Sequence, residues 1–202
     1  MFSFTKDIGM DLGTASVLIY IKDKGIVLNE PSVIAVNDKG KTLAVGAEAK
    51  AMLGKAPANI SVVRPLQDGV ISDFDRTADM LKAFLETALA VKKIRNFRVV
   101  VGVPSGVTEV EKRAVEEIVR QMGATEVFIL EEPMAAAIGA GMPVDGTTGC
   151  MIADIGGGTA EVAVISLSGI VASRSVRCAG DALDQSIIAF IKRKYNLLVG
   201  ER

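Results

Sequence analysis

Apolar residues in the first 45 positions form short runs separated by turn-forming residues. Runs at residues 8–12 and 17–21 flank a Gly-Thr-Ala-Ser turn, which is typical of a β-hairpin. Further short runs at residues 26–28, 33–36 and 43–45 predict more strands. The amino-terminal region is therefore expected to consist mainly of short β-strands.

The pattern then changes to helices that alternate with strands. Apolar positions take a helical period from about Asp75, and continuous apolar runs at residues 99–103 and 127–130 predict strands buried in a parallel sheet. Thr108 and Glu111 fit a capping box at the start of a helix between these two strands. This alternation predicts an α/β fold.

Strands return in the last third of the chain. Pro133 suits the first turn of an alanine-rich helix. Three strands follow, at residues 151–155, 161–165 and 170–176. Asp181 opens a last helix whose apolar residues are expected to face inward. These residues are Leu183, Ile187, Ile188 and Ile191. Because this order restarts that of the first half, the sequence indicates an internal duplication.

Composition narrows the possible functions. The 202 residues suffice for one large domain or two small ones. Half are hydrophobic and the mean hydropathy is +0.38, which predicts a large core or apolar surface for a partner or membrane. Neither a signal peptide nor a membrane-spanning run is expected. A net charge of −1 provides no general attraction to nucleic acid, so no nucleic-acid partner is expected.

Two residue types limit the chemistry. There is no histidine, which removes the commonest general base and zinc ligand. Cys150 and Cys178 lie far apart without metal-ligand spacing. We expect them to be buried thiols in a reducing cytoplasm.

Two motifs, Asp11-Leu-Gly-Thr14 and Asp154-Ile-Gly-Gly-Gly-Thr159, each join two apolar strands. Glycines let backbone N–H groups approach phosphate oxygens, the Thr hydroxyl adds a donor, and the Asp can hold Mg²⁺ through waters. Either motif alone could be an ordinary hairpin turn. Two in matching context favour a pair of hairpins that clasp a nucleotide triphosphate. Neither motif matches a Rossmann fingerprint or a Walker loop.

Glu132 precedes Pro133 and lies between the two motifs in sequence. Its carboxylate could orient the water that attacks a γ-phosphate, or could simply favour a helix N-terminus. The two hairpins make the catalytic interpretation the preferred one, and Glu131 could share the role. Gly180 and Asp181 could place N–H groups near phosphate, whereas Asp181 could equally be a helix cap.

Longer segments resemble the MreB family of bacterial actins, within the actin and heat-shock chaperone ATPase superfamily. Besides the two hairpins and the Glu-Glu-Pro-Met-Ala-Ala-Ala segment between them, the matching strings are Lys-Gly-Ile-Val-Leu-Asn-Glu-Pro-Ser-Val from Lys24, Arg-Pro-Leu-Gln-Asp-Gly-Val-Ile from Arg64, Val-Pro-Ser-Gly-Val-Thr-Glu-Val from Val103 and Tyr-Asn-Leu-Leu-Val-Gly-Glu-Arg from Tyr195. The resemblance covers essentially the whole chain.

The resemblance implies an actin-like ATPase fold of two ribonuclease-H-like halves, each a mixed β-sheet flanked by helices. It assigns residues 1–145 to the first half, with a small inserted subdomain at about 30–72, and residues 146–202 to the start of the second. It implies weak ATP hydrolysis with Mg²⁺, coupled to assembly into antiparallel double filaments. These would lie in the cytoplasm at the inner face of the cell membrane, where they direct cell-wall synthesis machinery for rod shape.

The resemblance also assigns roles by position. Glu132 matches the hydrolytic glutamate, and Asp11 and Asp154 match the aspartates on the Mg²⁺ side, which we group with the catalytic residues. The nucleotide-binding positions are Gly13, Thr14, Ala15 and Ser16 in the first loop, Gly156, Gly157, Gly158 and Thr159 in the second, and Gly180 and Asp181 beyond it.

Some positions depart from the family pattern. Ser16 stands where Asn is usual, Ala160 where Thr is usual, and Ala182 and Leu183 replace a Glu-Met pair. Family members continue well past Arg202. The second half is therefore expected to be incomplete, without most of the adenine pocket, and the affinity for ATP is expected to be weak or absent.

Family resemblance further suggests contact with a membrane. Phe2 and Phe4 are the expected contacts at the amino terminus, together with a basic and apolar loop that contains Ile94 and Phe97. The alternative for this loop is a solvated segment with one buried Phe.

Two other functions stay open from the sequence. One is a chaperone-like ATPase or sugar kinase on the same fold, although no clear Asp base follows a substrate loop. The other is a non-hydrolysing fragment that acts as an interaction module.

Overall fold

A computed structural model describes residues 6–91 and 94–200. The strands are β1 (Lys6–Leu12), β2 (Ser16–Ile21), β3 (Gly25–Pro31), β4 (Ile34–Asn37), β5 (Thr42–Val45), β6 (Ile60–Val63), β7 (Leu66–Gln67), β8 (Val70–Ile71), β9 (Phe97–Val103), β10 (Ala124–Glu131), β11 (Cys150–Ile155), β12 (Ala160–Ser166) and β13 (Gly169–Val176). The helices are α1 (Gly46–Ala51), α2 (Phe74–Leu89), α3 (Glu109–Gln121), α4 (Glu132–Gly139) and α5 (Gly180–Tyr195). The predicted α/β class is confirmed.

A mixed five-stranded sheet of order β10-β9-β1-β2-β3 forms the centre of the amino-terminal part. Strand β1 is antiparallel to β2 and parallel to β9, which is in turn parallel to β10. Helices α2 and α3 pack on one face of this sheet, and their buried apolar residues join those of the strands in the largest core. The hairpin predicted around the first Asp-Gly-Thr motif is therefore confirmed as β1–β2.

The opposite face of this sheet is largely open. The strands predicted at residues 99–103 and 127–130 are parallel, as expected, but this exposure corrects the prediction that they are buried. In β9, Val99 and Val101 are buried, whereas Val100 between them is 41% exposed. Phe128 in β10 is 53% exposed. A continuous apolar run predicts two covered faces, but here α2 and α3 cover one face, and α4 packs only against Leu130 at the end of the other.

Besides the two-stranded sheet β7–β8, two three-stranded sheets complete the fold. Strands β5-β4-β6 form one sheet that packs with α1 around its own small core within the predicted insertion. Strands β11-β12-β13 form the other, an antiparallel meander with α4 packed against it. The hairpin β11–β12 repeats the geometry of β1–β2, as the duplicated pattern predicts. The division at residue 145 stays a prediction.

The predicted helix boundaries hold where a capping residue defines them. The Thr108 side chain accepts the Glu111 N–H while Glu111 accepts the Thr108 N–H, which confirms the capping box of α3. Gly123, with a φ of +101°, follows the last turn of that helix. Helix α2 begins after Asp73, whose carboxylate accepts the N–H of Arg76.

Helix α5 differs from its prediction. None of its residues is buried, and Leu183 and Ile187 are 58% and 56% exposed. Their helical spacing marks an apolar face, but no described element covers it. Cys178 is also exposed rather than buried. Among the described residues, no helix is long and apolar enough to cross a membrane.

Candidate functional site

The two predicted hairpins meet directly. A Cβ added to Gly157 would lie 2.7 Å from the Cβ of Ala15. A Cβ added to Gly158 would lie 2.5 Å from Oγ1 of Thr14 and 2.9 Å from the Cα of Asp68. Distances this short leave no room for a methyl group. Glycine is therefore required at these positions for the second hairpin to pack against the first.

A third segment, the turn between β7 and β8, supports this contact. Thr14 is buried, and its Oγ1 accepts a hydrogen bond of 2.8 Å from the Gly69 N–H. Because Oγ1 acts as the acceptor in this bond, the Thr14 O–H can still donate a hydrogen bond to a ligand. Gly69 has a φ of +77°, and a Cβ there would lie 2.6 Å from the Pro104 side chain. Gly69 was not among the predicted site residues, although the Asp68-Gly69 pair is a turn signal in the sequence.

Further hydrogen bonds fix the turn of each hairpin. The Ser32 hydroxyl donates to the Gly13 carbonyl at 2.6 Å, and the Ser32 N–H donates to the Ala15 carbonyl at 3.1 Å. In the second hairpin the Gly156 N–H donates to the Thr159 carbonyl at 2.9 Å. With these carbonyls occupied, the turns are fixed in shape before any ligand arrives.

A cleft of about 940 Å³ lies beside the two hairpins. Eleven of the predicted site residues line it: Asp11, Gly13, Thr14, Ala15, Ser16, Glu132, Asp154, Gly156, Gly157, Gly158 and Thr159. Its other wall is the open face of the large sheet, with Leu18, Tyr20 and Val100. The structure thus brings together the residues predicted from both halves of the sequence.

Gly180 and Asp181 do not line this cleft. Their N–H groups donate to the carbonyls of Gly156 and Gly157 at 3.1 and 2.9 Å, so they brace the second hairpin from behind. The Asp181 carboxylate lies 3.4 Å from the Arg64 guanidinium. It does not cap α5, whose N-cap is Ala179 and has no side-chain cap bond. These two N–H groups are therefore engaged by the second hairpin, and the prediction that they contact phosphate directly is corrected.

Carboxylates concentrate at the floor of the cleft. Glu132 starts α4 directly before Pro133, as predicted. Burial is the main cause that raises its pKa to about 8, and the charges of Asp11, Glu161 and Asp154 add to it, in that order. Burial and the charge of Asp154 likewise raise the pKa of Asp11. The site is therefore electrostatically suited to a cation.

The donor set suits Mg²⁺ held largely through water. Asp11 and Asp154 end two strands that face each other across the cleft, and both offer carboxylate oxygens. No cluster of three or more metal-binding side chains occurs among the described residues. Mg²⁺ commonly binds through one or two carboxylates, waters and substrate phosphates, which this pair fits.

Two buried groups near the cleft were not predicted. Glu161 in β12 is 2% exposed, and both of its carboxylate oxygens accept the Ser105 N–H, at 3.0 and 3.1 Å. The sequence did contain a signal for Glu161. In the alternating strand it shares a face with Ala163 and Ile165, both buried, so a charge was to be expected at an inward position.

The predicted membrane loop is corrected in part. Phe97 is the first residue of β9 and is 1% exposed, because it belongs to the main core. Ile94 packs against the same core. This matches the alternative of a solvated loop with one buried Phe. Phe2 and Phe4 lie outside the described residues.

Comparisons with known proteins identify relatives of the whole chain. The family model described as MreB/Mbl protein matches residues 5–202. The cell shape-determining protein MreB of Escherichia coli (strain K12) is 53% identical over 98% of this chain and 59% of its own length. The cell shape-determining protein Mbl of Bacillus subtilis (strain 168) is 50% identical over 98% of this chain and 60% of its own.

Solved structures agree with this fold. MreB5 of Spiroplasma citri bound to AMPPNP superposes with a TM-score of 0.90 at 41% identity, covering 98% of this chain and 60% of that one. The MamK double helical filament gives 0.78 at 21% identity, covering 97% and 62%, which shows the fold alone. The chain thus spans about 60% of the length of these relatives.

Proposed function

Because the chain belongs to the MreB/Mbl family of actin-like cell shape-determining proteins, we propose that its cleft binds ATP with Mg²⁺ and hydrolyses it weakly during filament assembly. The observation that carries this proposal is the direct contact of the two Asp-Gly-Thr hairpins beside Glu132. The likeness to MreB5 of Spiroplasma citri, solved with AMPPNP and with ADP, supports it.

Each hairpin supplies part of a phosphate site. Backbone N–H groups at Ala15, Gly157 and Gly158 and the Thr14 hydroxyl are suited to phosphate oxygens, since glycine permits close approach. Asp11 and Asp154 would hold Mg²⁺ through its waters. When bound, the ion supplies positive charge that offsets the charge of the phosphates.

Glu132 is the residue assigned to orient the attacking water. Burial, with the added charges of neighbouring acids, raises the pKa of its carboxyl to about 8. A water hydrogen-bonded to this carboxylate would be aimed at the γ-phosphate. Such a general base contributes typically 10²–10⁴-fold to a rate.

Binding and turnover of ATP in the Glu132→Gln variant test this function. We expect the variant to bind Mg²⁺-ATP within about threefold of the wild type, because Gln keeps the size of the side chain, and to hydrolyse it roughly 10²-fold more slowly or worse. Equal rates of ATP hydrolysis in both proteins would show that Glu132 does not take part in the reaction. No binding of ATP by the wild type, or transfer of the phosphoryl group to a sugar, would contradict the proposed function as a whole.

Self-assembly and membrane contact are further parts of the proposal. MamK, solved as a double helical filament, shares the fold, which supports filaments of this chain, and the family resemblance suggests antiparallel pairs. We assign the membrane contact to Phe2 and Phe4, since Phe97 is buried. The filaments would lie at the inner face of the cell membrane and direct cell-wall synthesis.

Co-sedimentation tests this assembly. With ATP and vesicles containing anionic lipid, the wild type is expected to pellet with the vesicles. Replacement of both Phe2 and Phe4 by Ala is expected to leave filaments but lose the vesicles, whereas Val110→Ala, at an exposed position on α3, leaves both. Undiminished vesicle binding by the double variant would contradict the assignment.

A further inference from the structure

A buried acid links the second hairpin region to the first half of the fold. Among the buried polar side chains of the described residues, Glu161 alone carries a carboxylate. Burial of a charged group is unfavourable unless hydrogen bonds compensate for lost hydration. Both Glu161 oxygens accept from the Ser105 N–H, which belongs to the loop that follows β9. The contact therefore joins β12 to a loop 56 residues away in sequence.

Ser105 continues this connection toward Glu132. The Ser105 side chain is buried with the rest of the residue, and its hydroxyl donates to the Glu131 carboxylate at 3.1 Å. Glu131 ends β10 and is the N-cap residue of α4, directly before Glu132. One serine thus uses its N–H for the second hairpin region and its O–H for the strand end that carries Glu132.

We propose that Glu161 is a positioning residue that acts through Ser105 and Glu131 to hold Glu132 in place when the two hairpins are in contact. This positioning role rests on the ATPase function proposed above. Glu161 pairs with Asp154 in the β11–β12 register and lies two residues from Thr159, so a movement of the second hairpin displaces it. When Glu161 no longer contacts Ser105, Ser105 no longer holds Glu131 at the end of β10.

Variants at Glu161 separate a positioning role from direct chemistry. Glu161→Leu removes the acceptor, and we expect kcat for ATP to fall at least tenfold while Kd changes less than threefold. Glu161→Gln retains an oxygen for the Ser105 N–H, so most of the rate should return. A Gln variant as slow as the Leu variant would place the charge of Glu161 at the reacting atoms and overturn the proposal, as would an unchanged kcat in the Leu variant.

A less disruptive variant tests the same connection if Glu161→Leu fails to fold. Ser105→Ala keeps the N–H that Glu161 accepts and removes only the hydroxyl bond to Glu131. We expect kcat to fall threefold or more with unchanged Kd. Ser166→Ala is the matched control, because its hydroxyl donates to Gly146 and Thr147 carbonyls in the same sheet region and should leave kcat unchanged. Equal kcat values for the two variants would contradict the connection.

Amide hydrogen exchange tests the contact without hydrolysis. The amide of Ser105 should be protected in the wild type and in Glu161→Gln, and should exchange at least tenfold faster in Glu161→Leu. Equal exchange in all three proteins would overturn the proposal even if ATP is hydrolysed. A wild type that shows this pattern but hydrolyses no ATP would instead contradict the proposed function, while the Glu161–Ser105 contact would stand.

Discussion

Gly158 faces the first hairpin at a distance that admits no side chain. Its added Cβ would lie 2.5 Å from Thr14 Oγ1 and 2.9 Å from backbone of Asp68, and backbone cannot rotate away as a side chain can. Gly158→Ala is therefore expected to push the hairpins apart and to weaken ATP binding at least tenfold, about 1.4 kcal/mol, in a titration. Gly169→Ala is the control, since its added Cβ would meet only the Ser166 carbonyl oxygen at 3.7 Å and Gly169 does not line the cleft. Equal affinity in both variants would contradict the contact.

Glu132 makes stability depend on pH. Its pKa is raised to about 8 in the folded protein, so between its unfolded pKa and pH 8 the folded state holds a proton that the unfolded state has released. The free energy of unfolding should therefore fall as pH rises through this window. At 1.36 kcal/mol per pKa unit, the loss is roughly 3–5 kcal/mol.

The Glu132→Gln variant isolates this effect. It lacks the titrating group, so its stability relative to the wild type should increase from about pH 5 to about pH 8, measured by denaturant unfolding without Mg²⁺ or nucleotide. At pH 4, where Glu132 is protonated in both states, the difference should reflect only the change of side chain. A stability difference that does not change with pH would show that neither burial nor neighbouring charge raises the pKa of Glu132.

The position of a side chain in the cleft was predictable where chemistry and local context coincide. Asp11, Asp154 and Glu132 follow or begin recognisable elements, and all three line the cleft. Gly69 and Ser105 could not be assigned in the same way. Their roles depend on contacts with Thr14 and Glu161 that are distant in sequence, and only the folded chain shows them.

At the scale of elements, the capping box of α3 permits a direct test. Thr108→Ala removes the acceptor for the Glu111 N–H, and should cost about 1 kcal/mol in thermal or denaturant unfolding. Thr87→Ala is the matched control, because Thr87 is exposed within α2 and its hydroxyl bonds only the preceding turn. This control should be neutral or slightly stabilising. Equal losses would contradict a specific cap.

Element type was predictable because periodicity and caps are local, but burial was not. The spacing of Leu183 and Ile187 defines an apolar face of α5 that no described element covers. Likewise, the apolar runs of β9 and β10 cannot reveal that one face of these strands is left largely uncovered. An apolar pattern indicates which face of an element avoids water. Which other element covers that face depends on distant parts of the protein.

At the scale of the whole molecule, the open face of the large sheet presents a row of exposed apolar side chains. The register places Phe128 beside Val100, Val100 beside Gly9, Gly9 beside Tyr20, and Tyr20 beside Ile26. These five residues form one row across all five strands. Its four side chains are between 41% and 66% exposed. Contiguous apolar surface of this kind promotes association, in contrast to scattered apolar residues.

The 202-residue chain is therefore expected to bind an apolar fluorescent dye and to associate at high concentration. Phe128→Glu places a charge at the β10 end of this row and should reduce both the dye fluorescence and the association, which is measured by light scattering. Val110→Glu is the control. Val110 is 77% exposed but stands between Glu109 and Glu111 on α3, outside the row, so the same change should have little effect there. Equal reductions in the two variants would mean that general charge, rather than the uncovered sheet face, governs association of the chain.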